Sequence, residues 1–191
     1  MLDVPNRRPM KPANTILILL AAFVAVFLQA AVGTRGLLGA QIDLLPALVV
    51  YASLTGGLVS VALVSVCGGI GFDALSANPL GVTMLPLFLI GFAIQRQREF
   101  ILRDQFFAQF VLGLAASAAA PLLVLLLLFS GGRAPLVGWG TIWQWLVMSL
   151  GGGLLTPLCF RFFTFVQRSF FYQTQTQSSF RSDRQIRRGR F

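Results

Sequence analysis

Long apolar runs that stop at arginines constrain this chain more than any other feature. The runs NTILILLAAFVAVFLQAAV (14–32), LLPALVVYASLTGGLVSVALVSVCGGIGF (44–72), PLGVTMLPLFLIGFAI (79–94) and QFFAQFVLGLAASAAAPLLVLLLLF (105–129) are followed by a last one from Trp139 to Val166. Only short polar connections separate them. Charged residues make up 11% of the 191, against about 25% in a soluble domain, too few to wet a surface. Hydrocarbon is the expected solvent for most side chains. At roughly 20 residues per span, the length accommodates about six spans and no soluble domain beside them.

The net charge of +9 would point to nucleic acid in a soluble protein. Here the basic residues stand at the ends of apolar runs, where they orient the chain and meet anionic lipid. No nucleic-acid partner is expected. The sequence has no histidine, which excludes mechanisms that need an imidazole base or ligand. Cys67 and Cys159 lie inside apolar runs without metal spacing and read as small buried packing residues. Neither a metal nor another cofactor is expected.

Charge also counts the spans. Ile42–Leu75 is one overlong span or two short ones hinged at Thr55-Gly56-Gly57. With two, every basic residue except Arg35 and Arg133 falls on one side, which the positive-inside rule identifies as the cytoplasm. Two spans are therefore predicted, each short enough to need bilayer thinning or burial in the bundle. The expected organisation is a cytoplasmic segment (1–13), a six-span helical bundle (14–166) and a basic, disordered cytoplasmic tail (167–191). A signal peptide competes for the first run, but its apolar core is too long and no cleavage pattern follows, so a retained helix is predicted.

Punctuation within the runs suggests local roles. Asp43 reads as the N-cap of a helix with Pro46 in its first turn, and a functional carboxylate is the alternative. Asn78 reads as the next cap, with Pro79 at the first helical position. Ser65 and Gly69, and again Gly113 and Ser117, are four apart, a spacing that lets helices approach closely. Pro121 invites a kink. Trp139, Trp143 and Trp145 cluster as an interfacial anchor, and Arg161 is placed to snorkel to the inner interface. In the tail, Arg181, Arg184, Arg187, Arg188 and Arg190 suit attachment to anionic lipid, or docking of a cytoplasmic protein.

Intramembrane polar groups are sparse, so an enzyme is not expected. A carboxylate pair made of Asp43 and Asp73 is conceivable, but no spacing demands it. Asp73 has two readings. In one, its carboxylate accepts backbone N–H bonds around Ser76 to Leu80. In the other, it meets a partner or ligand at the outer mouth of the bundle.

The segment Gly69-Ile70-Gly71-Phe72-Asp73-Ala74-Leu75-Ser76, then Pro79-Leu80-Gly81 and an apolar span with Gly91 that ends in basic residues, resembles the MreD family of bacterial rod-shape-determining proteins. Asp43-Leu44-Leu45-Pro46 through Tyr51 is similar to that family's second span. The likeness covers about Gln41 to Arg103. Outside it only hydropathy and length agree, and the long arginine-rich tail departs from many members.

The resemblance implies a non-catalytic scaffold of the inner membrane, with both termini cytoplasmic, in the machinery of lateral peptidoglycan synthesis. Its partners would be an MreC-like bitopic coiled-coil protein and, through the complex, the MreB filament and the RodA–PBP2 synthase pair. Asp73, Asn78, Pro79 and Gly81 would shape the partner-binding loop, with the small-residue faces binding partner helices. The family's membrane fold is similar to the substrate-binding subunits of energy-coupling-factor transporters. A subunit that binds a small vitamin-like molecule is therefore the alternative.

Overall fold

A computed structural model describes residues 12–31, 41–76, 79–98, 105–132 and 138–171. Among them the chain is all-helical, without strands. Its six helices are α1 (Pro12–Ala31), α2 (Leu45–Thr55), α3 (Leu58–Leu75), α4 (Met84–Gln97), α5 (Phe106–Ser130) and α6 (Trp139–Phe171). Three of them, α3, α5 and α6 over Trp139–Ser169, are long and apolar enough to cross a membrane. α1 is apolar but shorter over Thr15–Ala31, and α2 is shorter still. Among the described residues, those up to Phe160 form one compact unit and those from Arg161 on a second. In the second, the rings of Phe162 and Phe163 meet edge to face, 5.8 Å between centroids.

The break between α2 and α3 falls at Gly56-Gly57, where both residues are extended. α2 has only 11 residues, about 16 Å of helix, roughly half of a hydrocarbon core. It packs against α1, α3, α4 and α5, and Leu45 through Leu54 are all buried. A helix apolar on every side needs such an enclosure. Its serine and threonine hydroxyls turn back on its own carbonyls, Ser53 to Val50 at 2.8 Å and Thr55 to Tyr51 at 2.7 Å, so no donor is lost inside. Across the core, the Tyr51 ring meets Phe160 edge to face at 4.9 Å.

α1 is built differently. Ile18, Ala22, Ala25 and Val26 face inward, whereas Ile16, Leu20, Phe23 and Phe27 are each more than 60% exposed. Both faces are apolar, so the outward one has no reason to stay in water. The same holds on α5, α6 and α3, where Phe107, Leu126, Leu154 and Val59 point outward. Cys67 is exposed too, contrary to the expected buried packing role, because it lies on the outward face of α3. Cys159 is partly covered.

At one end of the bundle, Arg98 donates from Nη1 to the carbonyl of Gly56 at 3.3 Å, which ties the end of α4 to the α2–α3 break. With its amide oriented to satisfy both, Gln95 donates to Ser53 O (3.3 Å) and accepts from Leu58 N–H (3.2 Å). Side chains from the end of α4 thus bond Ser53 O, Gly56 O and Leu58 N–H at a break whose own N-cap, Gly57, has no side chain to do so.

Several boundaries differ from expectation. Pro79 does not begin a helix: residues 80–83 form a turn and α4 starts at Met84. Gly81 is the reason, since its φ of +94° is incompatible with helix propagation. Pro86 instead occupies the first turn of α4, where its missing N–H is harmless. Asn78 lies outside the described residues. Asp43 stands one residue before the N-cap of α2, which is Leu44. α6 is continuous through Gly151-Gly152-Gly153 and Pro157 and ends at Phe171, beyond the expected start of the tail at residue 167. Arg181, Arg184, Arg187, Arg188 and Arg190 lie outside the described residues.

Candidate functional site

The small residues singled out in the sequence are consumed inside this chain. A Cβ on Gly69 would lie 2.5 Å from Met84 Cα, so α3 meets the start of α4 backbone to backbone. Ser65, one turn earlier, is fully buried and its hydroxyl has no partner. On the other side, Gly113 and Ser117 of α5 abut α6: a Cβ on Gly113 would come within 2.8 Å of Gly152 O and closer still to the Thr156 side chain. Thr156 turns its hydroxyl to Gly152 O at 2.8 Å, whereas the buried Ser117 hydroxyl at the same crossing has no partner. Gly91 admits Val61 and Val49 in the same way. These faces hold the bundle to itself and are not offered to another protein.

Asp73 closes α3. It is 1% exposed, and its carboxylate is spent on the turn that follows. Oδ2 accepts the N–H of Gly81 (2.8 Å) and of Thr83 (3.1 Å), while Oδ1 accepts the Thr83 hydroxyl at 2.5 Å. These donors lie slightly beyond Ser76 to Leu80, because α4 begins later than the sequence suggests. The Asp73 backbone carbonyl takes the N–H and hydroxyl of Ser76 at 3.2 and 3.3 Å. A buried carboxylate is tolerable when donors of this kind replace its water. What reaches the surface is the turn itself, with Leu80 70% exposed, and not the Asp73 carboxylate.

Asp43 is also buried, at 7% exposure. Its Oδ1 accepts the N–H of Leu45 and the side-chain amide of Gln29 from α1, each at 2.9 Å. The first is an Asx-type turn that starts α2. The second reaches across to a helix that sequence inspection passes over, since Gln29 is a lone polar residue in an apolar run. Having given its N–H to Asp43, Gln29 keeps Oε1 buried and without a donor. Asp43 and Asp73 share no hydrogen bond, and each carboxylate is engaged by its own set of donors.

Beside Asp43 and Gln29 lies a cavity of about 950 Å³. Five of the helices and the residues leading into α2 contribute to it, all from the same end of the bundle. α1 brings Gln29, the approach to α2 brings Asp43, α3 brings Phe72, α4 brings Leu87, α5 brings Val124 and α6 brings Trp145. Its described wall is mainly apolar, with Gln41, Ser76, Thr83, Thr141 and Gln144 as further polar members and no arginine or lysine.

Trp145 therefore does not share the anchoring role predicted for the three tryptophans. Its indole donates to Ala118 O at 2.9 Å, next to the Ser117 carbonyl that Pro121 deprives of its helical donor. Trp139 and Trp143 are exposed, as anchors need to be. Gln29 and Thr83 were missed in the sequence. A single polar residue one turn from the end of an apolar run was the available signal for the first, and none marked the second. Among the described residues, no three His, Cys, Asp or Glu side chains lie close enough to hold a metal ion.

No family model, curated protein or solved structure matches this chain.

Proposed function

We propose that this chain is a non-catalytic scaffold of the bacterial cell-elongation complex, a six-span protein of the inner membrane with both termini in the cytoplasm. In this reading an MreC-like bitopic protein binds it directly, and the MreB filament and the RodA–PBP2 pair are reached through that partner. The resemblance of Asp43–Tyr51 and Gly69–Gly81 to the MreD family supplies the identity.

The observation that carries the reading is the Asp73 turn. A buried carboxylate devoted to three donors of its own chain does no chemistry; it holds the Pro79–Thr83 segment in one shape. That segment presents Leu80 at the same end of the bundle as the cavity. Because the small-residue faces are occupied within the chain, partner helices would meet the outward apolar faces, such as that of α1 with Phe23 and Phe27. In lipid such contacts rest on packing rather than on hydrophobic transfer.

Depletion should turn rod-shaped cells into spheres, and the tagged chain should copurify with a bitopic coiled-coil protein. Normal shape together with loss of uptake of a nutrient would overturn the scaffold in favour of a second reading, a substrate-binding subunit of a small-molecule transporter. The cavity favours this second reading, since its volume lies within the range of about 300–1,000 Å³ usual for ligand sites.

A further inference from the structure

We infer that the cavity binds a small amphipathic molecule that carries hydrogen-bond donors, such as an amine or a ring N–H, and no anionic group. The inference gives a chemistry to the cavity behind the second reading, and it is equally compatible with the scaffold.

Three observations converge on it. First, Gln29 Oε1 is buried and has no donor, although Gln29 lines the cavity. A buried carbonyl without a partner is costly and calls for one. Neither Nε2, which donates to Asp43, nor a rotated amide supplies it: swapping the amide would face two acceptors with each other and lose the 2.9 Å bond. An N–H arriving from the cavity completes the amide with a small rotation of the side chain.

Second, the charge on the described wall has one sign. Asp43 is the ionisable group there, with no basic side chain facing it. A carboxylate or phosphate on the ligand would be buried against Asp43 without a counter-ion, whereas an ammonium or neutral N–H gains from it. Third, the rest of the wall is apolar and partly aromatic, with Phe72, Leu87, Trp145 and Met148. A flat ring suits the indole face of Trp145, whose own N–H is already engaged by Ala118 O. The polar end of the ligand thus lies toward Gln29 and Asp43, and its ring toward α5 and α6.

The test is equilibrium dialysis of the full chain in nanodiscs against two probes that share one ring system, tryptamine and indole-3-acetate. Tryptamine should bind saturably and at least about tenfold more tightly than indole-3-acetate, a factor equal to about 1.4 kcal/mol and within what one matched buried polar contact contributes. Gln29→Leu removes one acceptor and should weaken tryptamine binding, while the Asp43 charge keeps indole-3-acetate the weaker ligand. Val124→Trp puts an indole into the cavity from a wall position outside the Gln29–Asp43 bond and should weaken tryptamine binding itself; size-exclusion profiles show whether both variants remain folded.

Equal retention of the two probes by the native chain would overturn the inference, as would tryptamine retention that Val124→Trp leaves unchanged. Either result means partition into lipid. Recovery of the coiled-coil partner is read on the same preparations, so failure of the ligand site and failure of the scaffold are separate outcomes.

Discussion

Asp73 and Asp43 stand at the same end of the bundle, both buried, both at a helix boundary, yet they leave their surroundings in opposite conditions. Asp73 accepts two backbone N–H groups and one hydroxyl, and every donor around it is used within the turn. Asp43 takes one backbone N–H and draws in Gln29, whose other amide atom is left without a donor beside a cavity. The first arrangement is complete in the isolated chain; the second becomes complete only when something else supplies a donor. A buried carboxylate is therefore uninformative as a residue type. Whether its donors are satisfied locally separates a device for shaping a loop from a candidate site.

The contrast can be broken by mutation. Asp73→Ala strands three donors at once and should have the largest effect, on the order of 3–5 kcal/mol from the cost of unmet buried groups. A large fall in the thermal midpoint of the purified protein, with reduced recovery of the partner, is the expected result. An unchanged midpoint would mean that the turn holds itself without the carboxylate.

Thr83→Val removes one donor and leaves both backbone bonds to Asp73, so about 1–2 kcal/mol is expected, measurable as a smaller midpoint shift. Gly81→Ala meets no neighbouring atom, since nothing lies within 4 Å of a Cβ there. It is strained only by the positive φ, at about 1–2 kcal/mol. A cost much above that would reveal a contact that the turn makes elsewhere.

Asp43→Asn keeps an acceptor for Leu45 and Gln29 and removes a buried charge, so its effect on stability should be the smallest, within about 1 kcal/mol of native. A loss as large as that of Asp73→Ala would erase the distinction between the two sites and make Asp43 a structural residue as well.

Much of this was legible before any tertiary information, for identifiable reasons. The distribution of arginines favoured two segments hinged at Thr55-Gly56-Gly57, and the helix breaks there, with Arg98 bonded to Gly56 O. The Asp73 carboxylate was expected to take backbone N–H groups of the following turn and does so, though on Gly81 and Thr83 rather than around Ser76 to Leu80. The start of α4 was misplaced because Pro79 suits a first helical position as well as a turn. Gly81 at φ +94° decided the matter. The direction of Cys67 was misjudged because α3 is apolar on both faces, so hydropathy carried no angular information.

By itself, then, the sequence determined that the chain is helical, where its central apolar stretch divides, and which residues are small enough for close crossings. These follow from local properties: propensity, the position of charge and side-chain volume. Only the tertiary structure decided that Gly113 and Ser117 serve α6 and not a partner. It also decided that Trp145 lines a cavity while Trp139 and Trp143 face outward, and that Gln29 reaches Asp43 across two elements. Those outcomes depend on which faces meet, and when inner and outer faces are equally apolar, only packing chooses between them.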